Sequence, residues 1–231
     1  MWTDLSLSVK VGVAVLAVLV ASPAAAKGDI DGVWKISTPA SSLLVVDKEF
    51  PFTAEGRKLY EQHKASRDRG LFDYDLTQAR CSSPGPIRLM LSPKRLRIWT
   101  RPDSVAIQFE WNNLLRQIDL RGKPSKPELV NTMLGSARGR WEGATLVIDT
   151  ANVSDRTLLD DLLPHSEDLQ ITEHLRLQNS DTIEDRITIQ DPAYYTHSWD
   201  ALITYSRVAD TPFEEDICLD RLSAGQSPLP R

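Results

Sequence analysis

Two runs in the last third of the chain alternate apolar and polar residues on either side of a turn. Leu169, Ile171, Leu175 and Leu177 share one face of the first run; Ile183, Ile187 and Ile189 share one face of the second. A period of two marks β-strands with one face in a core. Asn179, Ser180 and Asp181 supply turn chemistry between them. The pattern also sets a register. Pairing Leu177 with Ile183 places Leu175 opposite Asp185, Glu173 opposite Ile187 and Ile171 opposite Ile189. A slip of one residue would turn every apolar side chain to water. In this register two acids, Glu173 and Asp185, share the inward face as diagonal neighbours.

The same alternation predicts further strands over 32–37, 95–100, 104–111, 114–120, 144–150 and 199–208, so that with the hairpin runs 168–177 and 182–190 there are about eight. Arg116 falls on the inward face of its run with Leu114, Ile118 and Leu120. Residues 52–67 read as a helix, with Thr53 as N-cap, Glu55 in the first turn and His63 partly exposed on its face. Residues 69–86 and 121–138 read as Pro- and Gly-containing loops, 87–91 as a short edge strand, and 151–167 as a connection with one irregular helical turn over a barrel mouth. The fold class expected is mainly β: an antiparallel, lipocalin-like β-barrel of about eight strands with one or two short helices. Such a barrel is either filled by its own side chains or wide enough for one small ligand.

Composition changes this picture little. The chain of 231 residues is 41% hydrophobic with a net charge of −5, which fits one globular domain and argues against a nucleic-acid partner. The N-terminus does change it. Lys10, the apolar run 11–20 and the small residues Ala24 and Ala26 read as a signal peptide over 1–26, leaving one barrel domain over 27–231. The run is too short to span a bilayer, so no membrane association is expected once the leader is removed. A periplasmic or secreted location follows, and there Cys81 and Cys218 are expected to form a disulfide.

Candidate chemistry centres on the inward acids. Three readings stand. In the first, Arg116 or Arg207 neutralises Glu173 and Asp185, and the cluster is a buried ion network in a filled barrel. In the second, Arg116, Arg88, Tyr194 and Trp199 line a cavity that orients a small, mostly apolar or aromatic molecule. In the third, Glu173 or Asp185 is a general base with His165 as its partner, as a cofactor-independent lyase or isomerase would need. A phosphate loop, a dinucleotide fingerprint and a Gly-x-Ser-x-Gly elbow are all missing from the sequence, and the two cysteines have no histidine at zinc spacing. No cofactor and no metal are therefore expected. The partner is a small-molecule ligand or substrate, and oligomeric state is left open.

Two resemblances add to this. Gly32-Val33-Trp34 is similar to the Gly-x-Trp opening of lipocalins, and Arg207 ends the last strand, where lipocalins place an arginine over that tryptophan. The stretch Gly139-Arg140-Trp141-Glu142-Gly143-Ala144-Thr145-Leu146-Val147-Ile148-Asp149-Thr150 resembles a GRWEGDTLVVDT signature of a broad group of exported, largely uncharacterised bacterial proteins. Other pieces agree in order: Cys81 before Pro84-Gly85-Pro86-Ile87-Arg88, Arg116, Pro164-His165-Ser166, Glu173, Asp191-Pro192, Trp199, and Glu215 before Cys218. The resemblance implies a secreted, lipocalin-like β protein and no particular activity. The group has Asp where this chain has Ala144.

Overall fold

The structure is a computed structural model; it describes residues 29–37, 43, 46, 49–122 and 130–229. The expected leader, 1–26, lies outside the described residues. Among the described residues, no helix is long and apolar enough to cross a membrane.

Nine strands close into a barrel in sequence order: β1 (Gly32–Ile36), β2 (Leu96–Thr100), β3 (Ser104–Phe109), β4 (Leu115–Asp119), β5 (Ser136–Glu142), β6 (Thr145–Ala151), β7 (Gln170–Asn179), β8 (Thr182–Gln190) and β9 (Trp199–Val208). The mainly β, closed-barrel class holds. The strand count is nine rather than eight, because β5 begins inside the expected 121–138 loop. Its sequence SARGRWE carries a glycine and three charged residues, so it shows no apolar alternation. The barrel is also not wholly antiparallel. A closed ring with an odd number of strands cannot alternate direction all the way round, and the one parallel pairing falls between β4 and β5. That seam is short: Ile118 pairs with Ala137 and Asp119 with Arg138.

The β7–β8 hairpin has the expected register, with Leu177 opposite Ile183, Leu175 opposite Asp185, Glu173 opposite Ile187 and Ile171 opposite Ile189. The turn is tighter than expected. Asn179 already pairs with Thr182, and a bulge between Leu177 and Asn179 absorbs the extra residue.

Helices are more numerous than the expected one or two. They are α1 (Ala54–Asp68), α2 (Leu76–Arg80), α3 (Pro86–Met90) and α4 (Cys218–Ser223). Thr53 caps α1 as expected, its hydroxyl accepting from Gly56 N at 3.1 Å. His63, however, is buried; its Nδ1 donates to the Leu162 carbonyl at 2.8 Å, and its ring stacks on Tyr74. Asp75 accepts from Thr77 N and Gln78 N and so starts α2 within the expected 69–86 loop. The expected edge strand at 87–91 is α3 instead: Pro86 at its first turn has its φ set for a helix, and all five of its residues are buried. The connection 151–167 holds turns but no helix.

The lipocalin-type pair is present. The Arg207 guanidinium lies over the Trp34 ring, 4.1 Å from its centroid, and donates to the carbonyls of Asp31 and Ser180, each at 2.7 Å. Gly32 is required there. Its φ of +135° and the closeness of the Arg207 guanidinium leave no room for a Cβ. Cys81 and Cys218 form the expected disulfide, with Cα atoms 5.8 Å apart, joining the end of α2 to the start of α4.

Candidate functional site

Period-two alternation carries Arg116 from β4, Glu173 from β7, Asp185 from β8 and Tyr205 from β9 into the barrel interior. Arg116 Nη1 donates to Glu173 Oε1 at 2.9 Å, its Nη2 donates to Glu173 Oε2, and Nη2 also donates to Thr150 Oγ1 at 2.8 Å. Glu173 and Asp185 are 0% exposed and Arg116 2%, so no water-sized space adjoins either acid. Apolar side chains fill the remaining volume, among them Ile107, Ile118, Leu146, Ile148, Ile187 and Ala201, each wholly buried. Close packing of this kind is that of a protein core, not of a cavity. Arg207, which could equally have served as counter-ion, is committed to Trp34 and the two carbonyls instead.

Asp185 is the anomaly. Among the described residues, neither of its carboxyl oxygens has a hydrogen-bond partner, and Arg116 Nε, in the same cluster, also has none. Burial pushes the Asp185 carboxyl well above the usual carboxylate range; the Glu173 charge pushes it the same way, and Arg116 opposes with a smaller effect. One arginine faces two acids, so the protonated form of Asp185 is favoured over that of an exposed carboxyl. Burial, with the two acids behind it, likewise raises the Tyr205 phenol, which donates to the Met90 carbonyl of α3 at 2.8 Å.

The other expected site residues sit elsewhere. Arg88, on α3, is buried, and each nitrogen of its guanidinium is engaged. Nη1 donates to Asp75 Oδ1 at 2.8 Å, Nη2 to Asp75 Oδ2 at 2.5 Å, and Nε to Asp161 Oδ1 at 3.2 Å. It therefore fastens α3 to Asp75 at the start of α2 and to Asp161 in the 151–169 connection. His165 is buried in the 151–169 connection. Its Nδ1 donates to the Ser166 carbonyl at 2.9 Å, and its Nε2 lies 2.8 Å from Thr157 Oγ1. Burial holds its pKa below the ordinary histidine value, and the nearest acids acting on it are Asp191 and Asp155, not Glu173 or Asp185. Trp199 is buried against Phe50 and Tyr195, with ring centroids 5.2 and 5.3 Å apart, outside the acid cluster. Tyr194 is half-buried beside α1, where its carbonyl accepts from Thr53 N at 2.9 Å. Ala144 occupies the turn after Gly143 that joins β5 to β6.

Sequence reasoning thus found Arg116, Glu173 and Asp185, which the structure brings together, and grouped with them residues that the structure separates. It missed Thr150 and Tyr205. Both were visible as polar members of inward-facing strand positions.

Fold and site define a closed, disulfide-tied β-barrel with a charged cluster inside a packed core. No protein family's sequence profile and no curated relative matches the chain. Two solved structures are similar to it in fold. One is a secretary abundant heat soluble (SAHS) protein from Ramazzottius varieornatus, at 12% identity and a TM-score of 0.39, covering 80% of this chain and 98% of that one. The other is a mutant of the fluorescent protein UnaG, at 12% identity and a TM-score of 0.36, covering 78% of this chain and 97% of that one.

Proposed function

We propose that this chain is an exported, non-catalytic barrel protein in which the Arg116–Glu173–Asp185 cluster belongs to the core. One observation carries the reading: both acids are wholly buried, with apolar side chains and no water-sized space around them. A general base must lie within hydrogen-bond reach of the proton it takes. The packed interior and the separate bonds of His165 weigh against proton transfer at this cluster. Export is supported by the Cys81–Cys218 disulfide, which persists in oxidising compartments. The GRWEG-type stretch, Gly139 to Thr150, supports placing the chain with the exported group that it resembles.

The test is native mass spectrometry of the full chain expressed with its own N-terminus and recovered from the exported fraction. The expected result is a single mass without a stoichiometric small molecule. A bound molecule that is lost in Glu173→Gln while the barrel stays folded would overturn the reading.

A second reading rests on Asp185. Buried polar groups without partners are rare, and they concentrate where function overrides stability. A small apolar or aromatic molecule with a carbonyl or hydroxyl group could bond to Asp185 and Arg116 Nε if α3 withdrew. Incubating the protein with such molecules during partial denaturant opening, and comparing the urea midpoint of the parent with that of Asp185→Asn, separates the two readings. Under the first, no compound shifts either midpoint.

A further inference from the structure

We propose that the short parallel seam between β4 and β5 holds a binding site for a small zwitterionic solute, with Arg138 as its carboxylate anchor. An open cleft of about 330 Å³ lies there, lined by Asp103, Ser104, Gln117, Asp119, Ser136 and Arg138 among others. It exists because the ring of nine strands forces one parallel junction, and that junction pairs only two residues on each strand.

Arg138 is half-buried in this cleft; among the described residues its side chain makes no hydrogen bond, and its charge acts on the Asp119 carboxylate without a direct contact. This is unusual given its neighbours. Register places it directly beside Asp119 on β4 and opposite Asp149 on β6. Both carboxylates face other partners. Asp119 is held by Arg121, through Nε to Oδ1 and Nη2 to Oδ2, each at 2.9 Å. Asp149 accepts from Arg140 Nη1 at 2.6 Å on one oxygen and from Thr172 Oγ1 at 3.0 Å on the other. Two arginines and Thr172 thus take the hydrogen bonds of both acids, so Arg138 feels Asp119 only as a charge and its planar fork of donors is left for a ligand. A carboxylate matches that fork in two-pronged geometry.

The remaining lining selects within anions. Ser104 and Gln117 offer neutral hydrogen-bonding groups. Asp103, exposed at the rim, accepts from the Ser104 hydroxyl at 3.3 Å through its carboxylate, whose charge also acts on Arg121. A second negative charge at the rim repels a phosphate dianion and attracts a cationic group. The cleft therefore fits a molecule carrying one carboxylate and one ammonium, in the size range of a free amino acid or short peptide.

The test is calorimetric titration of the full chain with alanine and alanyl-alanine, with acetate and inorganic phosphate as anionic comparisons that lack the ammonium. The expected result is saturable binding of the zwitterions, weaker binding of acetate and none of phosphate. Arg138→Gln should weaken zwitterion binding by at least about tenfold, the size expected for losing hydrogen bonds to a charged group. Arg121 also lines the cleft; Arg121→Gln frees Asp119 to pair with Arg138 and removes a second cation, and should weaken binding as well. Arg138 and Arg121 lie outside the core, so both variants should keep the parent's melting temperature, which is measured alongside. Equal affinity for acetate and alanine, phosphate binding, or zwitterion binding unchanged in Arg138→Gln would each overturn the proposal.

Discussion

Arg116 on β4 meets Glu173 on β7 across the barrel interior, with Nη1 2.9 Å from Oε1 and Nη2 on the second carboxylate oxygen. A buried pair of this kind adds little net stability over a well-packed apolar core, but removing one partner strands the other. Arg116→Met should therefore cost about 3–5 kcal/mol at pH 7. Replacing both partners, Arg116→Met with Glu173→Met, leaves no stranded charge from the pair and should recover most of that loss. Urea melts of the parent and the two variants at pH 7 check this. Equal losses in the single and double variants would mean that the arginine acts through packing alone.

Asp185 gives the interior a pH dependence of its own. Its folded pKa lies above the ordinary value because burial and Glu173 disfavour the charged form. The folded state then holds a proton that the unfolded chain releases from about pH 4 upward, so stability is full below that pH and falls as pH rises through the folded pKa. Asp185→Asn keeps the shape and cannot ionise. Its stability should approach the parent's near pH 4 and exceed it at pH 9, by about 1.4 kcal/mol for each pH unit of the shift removed. The checking measurement is the difference in melting temperature between parent and variant at those two pH values.

The disulfide ties the end of α2 to the C-terminal tail across a sequence separation of 137. A loop of that length restricts the unfolded chain strongly, and the double variant Cys81→Ser/Cys218→Ser should lose about 3–5 kcal/mol in the chain-entropy account. The barrel strands do not depend on the bond for their pairing. Far-ultraviolet circular dichroism at low temperature should therefore be unchanged, while the midpoint of thermal unfolding drops.

The hairpin and its acids were legible in the sequence because alternation there is unbroken and only one register buries every apolar residue. Arg207 over Trp34 was legible too, from a tripeptide and a strand end. Strand β5 was not. Arg138, Gly139 and Arg140 hide its period, and its partner β6 supplies the apolar face. The helices α2 and α3 were hidden because neighbouring Pro and Gly residues read as loop, whereas Asp75 and Pro86 in fact start helices. Least legible was the fate of Arg88 and His165. Their partners, Asp75, Asp161, Thr157 and Ser166, come from connections whose paths carry no periodic signal, so nothing in the chain order shows that these side chains are already engaged.

His165 should make the protein acid-sensitive without taking part in any reaction. Its Nδ1–H donates to the Ser166 carbonyl, so Nε2 is the acceptor of the Thr157 hydroxyl hydrogen. Burial lowers the folded pKa, with the Ser166 carbonyl, Asp191 and Asp155 opposing more weakly. The unfolded chain takes up a proton near pH 6.5 that the folded state refuses, so stability is full above that value and declines as pH falls toward the lowered folded pKa. His63 is shifted the same way by burial and adds to the slope. His165→Gln keeps a donor and an acceptor and removes the titration. Relative to the variant, the parent should lose stability as pH falls below about 6.5, and the variant should keep only the His63 share of the slope. Thr157 can accommodate the protonated ring by turning its hydroxyl to the Ser154 carbonyl, 3.1 Å away. Thr157→Val removes the oxygen that would face the new N–H, and so should steepen the acid loss that His165→Gln relieves. Urea midpoints at half-unit steps of pH across this range distinguish the three chains, and identical slopes would assign the acid sensitivity to His63 alone.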